Sequence, residues 1–492
     1  VTLSRRSFLF ASAALIGLRR KTNRPLAGGF ADDNMSVGHR IRDAASWPTP
    51  SRVVRTPIVI VGAGIAGLSA GWRLLKRGHS DFVILELGDQ AGGNARWGQN
   101  EVSAYPWAAH YVPVPGPNAT LVRELFTDLG VLHNGVWEER ALCFAPKERL
   151  FINGEWRPGL DSVIGLTGRD RAEFKRFDDE VLAARATGQF TIPMALGAPA
   201  SSPLDTMSVT QWLAAKGFTS PALRWYLDYA CRDDFGASAS VTSAWAGLHY
   251  FAAREPEDPG PLTWPEGNGW IARALISRLE SRLHRSSPVY HIAPGYRVFT
   301  PDTEYRAEAV IFAAPSFLAS HIMDAPRASY EYSPWLVANL TLDRWPKETG
   351  VGPAWDNVIF NSPALGYVVA THQDLRTNIE RTVWTYYRSF AEYTPAVARR
   401  MLAETSWRDW ADSIFADLGE AHPDLRDCVS RIDIMRHAHA MVRPTVGFLG
   451  RPHPTGGTPR LVYANSDLSG VSLFEEAQFR GVAAADQVIA QL

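Results

Sequence analysis

Cysteine is scarce. Cys143, Cys231 and Cys428 are the only three in 492 residues. They lie far apart with no C-x-x-C, so neither a disulfide framework nor a metal site is expected, and the thiols read as buried. An excess of one charge is also missing. Lys and Arg total 50 against 51 Asp and Glu, a formal net charge of −1, which gives no electrostatic case for nucleic acid or an anionic surface. The apolar segment Phe8–Leu18 is too short to span a bilayer. What remains is an ordinary globular composition, 46% hydrophobic and 21% charged, at a length that suggests two domains. Trp is plentiful at 17, which suits an aromatic-lined pocket and a large core equally.

Residues 57–96 organise the rest. Ile58 to Val61 is fully apolar, as expected for a parallel strand buried on both faces. Gly62-Ala63-Gly64-Ile65-Ala66-Gly67 follows, then a helical pattern from Leu68 to Lys76. Gly62 permits the tight turn, Gly64 lets the backbone approach a pyrophosphate, and Gly67 allows close packing of helix on sheet. The phosphates would sit on the free N–H groups of the helix N-terminus. A second apolar run, Phe82 to Leu85, ends at Glu86, about 20 residues past the glycines, where a carboxylate accepts from a ribose diol.

At the N-terminus, Ser4-Arg5-Arg6-Ser7-Phe8-Leu9 resembles the twin-arginine export signal. That resemblance implies the twin-arginine translocase as partner, a periplasmic or secreted protein, and folding before export. The alternative is an uncleaved basic helix that stays attached to the membrane. Residues 1–30 are expected to be this signal and 31–56, polar and Pro-containing, a linker.

Gly92-Gly93-Asn94 follows Glu86 by six residues. With the glycine turn, this stretch resembles the E-x(5)-G-G-R signature of the flavin-containing amine oxidoreductases. That superfamily includes monoamine and polyamine oxidases, protoporphyrinogen oxidase and phytoene-type desaturases. The resemblance implies FAD as cofactor and an α/β chain: a glutathione-reductase-type, Rossmann-like FAD domain with an inserted α+β substrate domain. Residues 57–115, 262–325 and 431–492 would form the first, and 116–261 and 326–430 the second. Asn94 stands where the family has arginine, with Arg96 as the compensating candidate.

Further matches run along the chain. Tyr105–Val112 occupies the family segment whose backbone meets the flavin ring, which implies Ala109, His110 and Tyr111 beside it. On its own chemistry His110 is either a proton carrier near neutral pH or a structural histidine. Trp264–Trp270, leading into a helix from Ile271 to Leu283, resembles the P-x-G-G segment. Ala307–Pro315 resembles the A-D-x-V-I-x-A-x-P strand, and the backbone of Val289 would hold the adenine. Leu461–Asp467 and the helix from Phe474 to Ile489 resemble the C-terminal FAD segment. Asp467 would bond the ribityl chain or a pyrophosphate-bound water, and the backbone at Phe474 would stabilise charge on reduced flavin N1/O2. Arg436–Pro444 resembles the W-x-x-A-x-P approach to the ring, which makes His437 and His439 catalytic candidates with His110.

Residues 116–261 read as mostly helical, with Asp205 and Ser208 as N-caps. Within them Tyr229–Gly236 is a dense charge cluster among aromatics, either a buried Arg–Asp brace or a substrate-recognition element. Trp335–Leu342 and Trp384–Arg388 alternate like strands. Many amine oxidases place a lysine in this strand region. Here the lysines are Lys21, Lys76, Lys147, Lys175, Lys216 and Lys347, none within 335–342, and Leu473 replaces the family's amine-aligning aromatic. Three readings stay open. One is removal of hydride from a C–N donor to flavin N5, with a small-molecule substrate and oxygen or another electron acceptor. The second is a desaturase or isomerase on an apolar substrate, and the third a flavin-binding partner subunit without turnover.

Overall fold

The computed structural model describes residues 25–31, 34–44, 46–160, 167–255, 260–376, 378–452 and 458–492. The twin-arginine motif lies outside the described residues.

Five short strands run parallel in the order Leu283–His284, Phe82–Leu85, Ile58–Val61, Ala309–Phe312 and Leu461–Tyr463. Every residue of Ile58–Val61 and Ala309–Phe312 is buried. Both faces are covered, which explains the continuous apolar runs in place of alternation. The helices Ile65–Lys76 and Phe474–Ile489 cross closely beside this sheet. Glycine permits the approach: a Cβ on Gly481 would stand 2.1 Å from the carbonyl oxygen of Ala66. A smaller four-stranded sheet, His291–Ala293, Arg297–Phe299, Thr303–Arg306 and Arg52–Arg55, completes the nucleotide-binding half.

The second half is built on an eight-stranded sheet. Its centre is Tyr332–Leu342, antiparallel to both Thr382–Arg388 and Val429–Val442. Period-two alternation sorts its side chains. Leu336, Ala338, Leu340 and Leu342 pack under the helices Pro395–Glu404 and Trp407–Leu418. Trp335 and Val337 face the other way, into a cluster with Tyr229 and Tyr387. Over that face stand the helices Gly168–Ala186, Val209–Ala215, Pro221–Phe235 and Ala244–Ala252. No helix among the described residues is long and apolar enough to cross a membrane.

Three expectations are corrected. Residues 31–56 are not a plain linker: they hold the helix Met35–Arg42, whose Ile41 is buried, and the strand Arg52–Arg55. The end of the expected signal is also structured, since Ala27–Phe30 pairs in parallel with Arg431–Ile434 at the edge of the large sheet. The stretch 116–261, read as mostly helical, carries five α-helices among its described residues and also the strands Glu148–Ile152 and Glu155–Pro158, which extend that sheet. Glu148–Ile152 pairs in parallel with Asp356–Ile359, some 200 positions along the chain, a pairing with no local signature. Ser208 caps its helix through a capping box with Gln211, whereas Asp205 lies inside a short 3₁₀ turn and accepts from Leu449 N–H at 2.9 Å.

Candidate cofactor and substrate site

The three turn glycines have different reasons to be glycine. Gly62 has φ 99°, a conformation that side chains rarely adopt. A Cβ on Gly67 would lie 1.9 Å from the carbonyl oxygen of Gly62, so the fold itself requires that position to be bare. A Cβ on Gly64 would meet nothing closer than Gly93 Cα at 3.8 Å. The space it would enter is a cavity lined by Gly62, Gly64, Glu86, Gly92, Gly93, Asn94, Ala109, Val289, Asp467 and Phe474. The cradle therefore fits a dinucleotide whose pyrophosphate passes over Gly64 at the helix N-terminus.

Glu86 closes one side. Its carboxylate accepts from Ala63 N–H at 2.9 Å and Gly88 N–H at 3.0 Å. Each oxygen keeps a lone pair for a ribose hydroxyl. Burial raises its pKa against these bonds. Asp467 accepts from Ser316 N–H at 2.8 Å and from the Tyr332 hydroxyl at 2.6 Å, and burial raises its pKa as well. It sits in a 3₁₀ turn just beyond the strand Leu461–Tyr463. Phe474 is the first residue of its helix, so free N–H groups meet the cavity there.

A second cavity adjoins the first. Asn94, Ala109, Asn268, Ala440, Ser472, Leu473 and Phe474 line both. The second is walled by His110, Tyr111, Trp335, Tyr387 and His437. The His110 ring lies 4.7 Å from that of Tyr387, and burial pulls its pKa down to about 4, so it is neutral at physiological pH. His437 Nε2 is 2.9 Å from the carbonyl oxygen of Trp107. His439, two residues on along the same strand face, lines the first cavity instead and stacks on Phe317 at 4.4 Å. Desolvation at the cavity wall, then the charge of Arg399, lowers its pKa to about 4.

Acids supply the polar part of this wall. Asp233, Asp234 and Glu475 line it with one guanidinium, Arg254. Arg254 donates to Asp234 at 2.8 Å and lies 3.7 Å from the Tyr250 ring centre. Burial, then the charge of Asp234, pushes Asp233 up to about 7. Burial pushes Glu475 up to about 8. Glu475 is 1% exposed and its Oε2 has no hydrogen-bond partner.

Some expected residues take other places. Arg96 lines neither cavity; its guanidinium goes to Gly93 O at 3.2 Å and Met435 Sδ at 3.4 Å. It stands at the end of the short turn Gly93–Ala95, with its guanidinium reaching Met435 of the large sheet. Asn94 itself donates to Ala440 O at 2.5 Å, tying the cradle to the strand that carries both histidines. In the charge cluster, Arg232 pairs with Asp228 at 3.2 Å, one helical turn back, and Asp234 takes Arg254. Asn268, Arg254 and Glu475 escaped the sequence reading. Asn268 lies inside a segment already matched to P-x-G-G, and Glu475 was one of two adjacent acids in a first helical turn, which ordinarily complement the helix dipole. No lysine lines either cavity among the described residues.

Residues 60–129 match the NAD(P)-binding Rossmann-like domain family. The chain is 32% identical over 149 residues to a 15-cis-phytoene desaturase of Narcissus pseudonarcissus, covering 30% of this chain and 21% of that protein. It is 34% identical over 132 residues to polyamine oxidase 7 of Oryza sativa subsp. japonica, covering 24% of this chain and 28% of that protein. The chain thus spans less than a third of the length of either relative. The structure resembles that of a putrescine oxidase with TM-score 0.67 at 17% identity, over 89% of this chain and 100% of the other. That likeness is one of fold. The chain has the fold, and at Gly62–Gly67 and Glu86 the dinucleotide cradle, of the FAD-dependent oxidoreductases of the amine oxidase-like superfamily.

Proposed function

We propose that this chain is an FAD-dependent oxidoreductase that removes hydride from a C–N donor to flavin N5, passing electrons on to oxygen or another acceptor. The observation that carries this reading is the continuous wall of the two cavities at Asn94, Ala109, Asn268 and Ser472–Phe474. A donor in the second cavity would meet the cofactor in the first across that shared wall. FAD, when bound, supplies the two-electron acceptor. Gly64 and the helix N-terminus behind it hold the pyrophosphate, Glu86 a ribose, and Val289 borders the adenine end. The N–H groups at Phe474 favour negative charge at the ring's pyrimidine edge. Tyr387 and Trp335 press a donor into line, and the neutral His110 adds no charge against a cation. The acidic wall favours a nitrogen-bearing donor.

A desaturase or isomerase reading draws support from Leu473, which lines both cavities, and from the missing lysine. Anaerobic mixing of the FAD-loaded protein with a panel of amines and apolar polyenes, followed by flavin absorbance, separates the two. Bleaching by amines alone supports the proposal. Bleaching by polyenes alone overturns it, and no bleaching by any donor points to a binding subunit.

The N-terminal motif supports a further proposal, export through the twin-arginine translocase to the periplasm or beyond.

A further inference from the structure

The first cavity draws part of its wall from well before the glycine turn. Ile41, the one buried residue of the helix Met35–Arg42, lines it together with Val289, Leu318 and Ile322. Ile41 packs in one apolar cluster with Val61, Leu85 and Val289, at the end of the cavity assigned to the adenine. The chain on either side of the helix is fastened to the same end. Asn34, in the left-handed region at φ 54°, occupies the space over Gly88, where a Cβ would lie 2.6 Å from its Nδ2. Gly88 N–H in turn donates to Glu86, the acid on the ribose side. Beyond the helix, Trp47 stacks on Tyr290, the neighbour of Val289, with ring centres 5.0 Å apart and planes 2° from parallel. Arg40 lies over the Trp47 ring at 4.1 Å.

A helix of eight residues with a single buried side chain is too short to hold itself in water. Its order comes from what Asn34, Ile41 and Trp47 meet, and part of what Ile41 meets is the cavity. A ligand that fills the adenine end gives Ile41 a further apolar surface, and by linkage the docked helix holds that ligand in turn. We propose that the helix Met35–Arg42 is a strap across the adenosine end of the FAD site, with Ile41 as a cofactor-contacting residue, so that FAD is released as the strap lifts. The strap recognises the adenosine half of the dinucleotide and not the flavin. This rests on the FAD reading of the cradle and is independent of which donor is oxidised.

The test uses the full chain, apo and FAD-loaded, under limited trypsin digestion followed by mass spectrometry. Arg40 and Arg42 are exposed cutting sites within the strap, and Arg426, 59% exposed on the substrate half, is the internal reference. FAD is expected to slow cutting at Arg40 and Arg42 about 10-fold more than at Arg426, the factor that about 1.4 kcal/mol of linked stability gives. FMN, which lacks the adenosine, is expected to leave that ratio unchanged. Ile41→Ala should release FAD about 10-fold faster in displacement kinetics, through a similar loss of apolar contact. Trp47→Ala, which loosens the strap without touching the cavity wall, should speed release in the same direction. Equal protection at all three sites, protection by FMN as strong as by FAD, or wild-type release from both variants overturns the strap. A wild type that binds no FAD overturns the cradle as well, whereas unselective protection with tight FAD binding removes the strap alone.

Discussion

Gly64 and Gly67 offer a sharp test because the same methyl group meets different things at each. At Gly64 the backbone has φ −74° and ψ −177°, extended geometry open to any residue, and an alanine Cβ would find no protein atom within 3.8 Å. The apoprotein should therefore be unaffected, or gain about 0.4–1 kcal/mol from a stiffer unfolded chain. The cofactor, by contrast, would meet a methyl where its pyrophosphate passes. Overpacking of that kind costs about 1–3 kcal/mol, which weakens FAD binding about 5- to 150-fold. At Gly67 the methyl would sit 1.9 Å from a backbone oxygen and 3.1 Å from its carbon, so helix and strand must separate. Gly67→Ala should cost the apoprotein about 3 kcal/mol or more, the upper end of overpacking penalties. The assay is thermal unfolding of the two apoproteins beside titration with FAD, followed by quenching of flavin fluorescence. If apo Gly64→Ala melts as low as apo Gly67→Ala, or binds FAD like wild type, the assignment of Gly64 to the cofactor is wrong.

Glu475→Gln should alter stability with pH. The folded pKa near 8 lies above the ordinary carboxylate range, so the native proton stabilises below that range and its contribution is lost as pH rises through 8. The variant, which has no proton to lose, should gain on wild type from pH 5 to about 8 and level off above it in apoprotein melting curves; a constant difference across that range counts against the buried carboxylic acid. His439→Gln should leave the pH profile of flavin reduction unchanged between pH 5 and 9, because the imidazole is already neutral there. A lost or shifted inflection would show that it titrates in that window. Replacing Arg5 and Arg6 by Lys should hold the flavoprotein in the cytoplasm, as cell fractionation would show, and undisturbed export would exclude the twin-arginine route.

Local order determined much of this molecule. The apolar run Ile58–Val61, the glycines after it and the helix that follows need only neighbours within a few residues, and so does the alternation of Trp335–Leu342. The helix Phe474–Ile489 is likewise written in its own periodicity. Tertiary structure decided what those elements meet. Asp234 and Arg232 are two positions apart and point to different sides of one helix, so the ion pair goes to Arg254, 20 residues away. Ala27–Phe30 reads as featureless until Arg431–Ile434 supplies the strand that pairs with it. The acids at 475 and 476 look alike in sequence, yet the first opens on a cavity and the second is satisfied by Met194 and Ser469. Periodicity fixes which face of an element is apolar. Which buried acid is left without a partner depends on contacts between distant segments, and those exist only once the chain has packed.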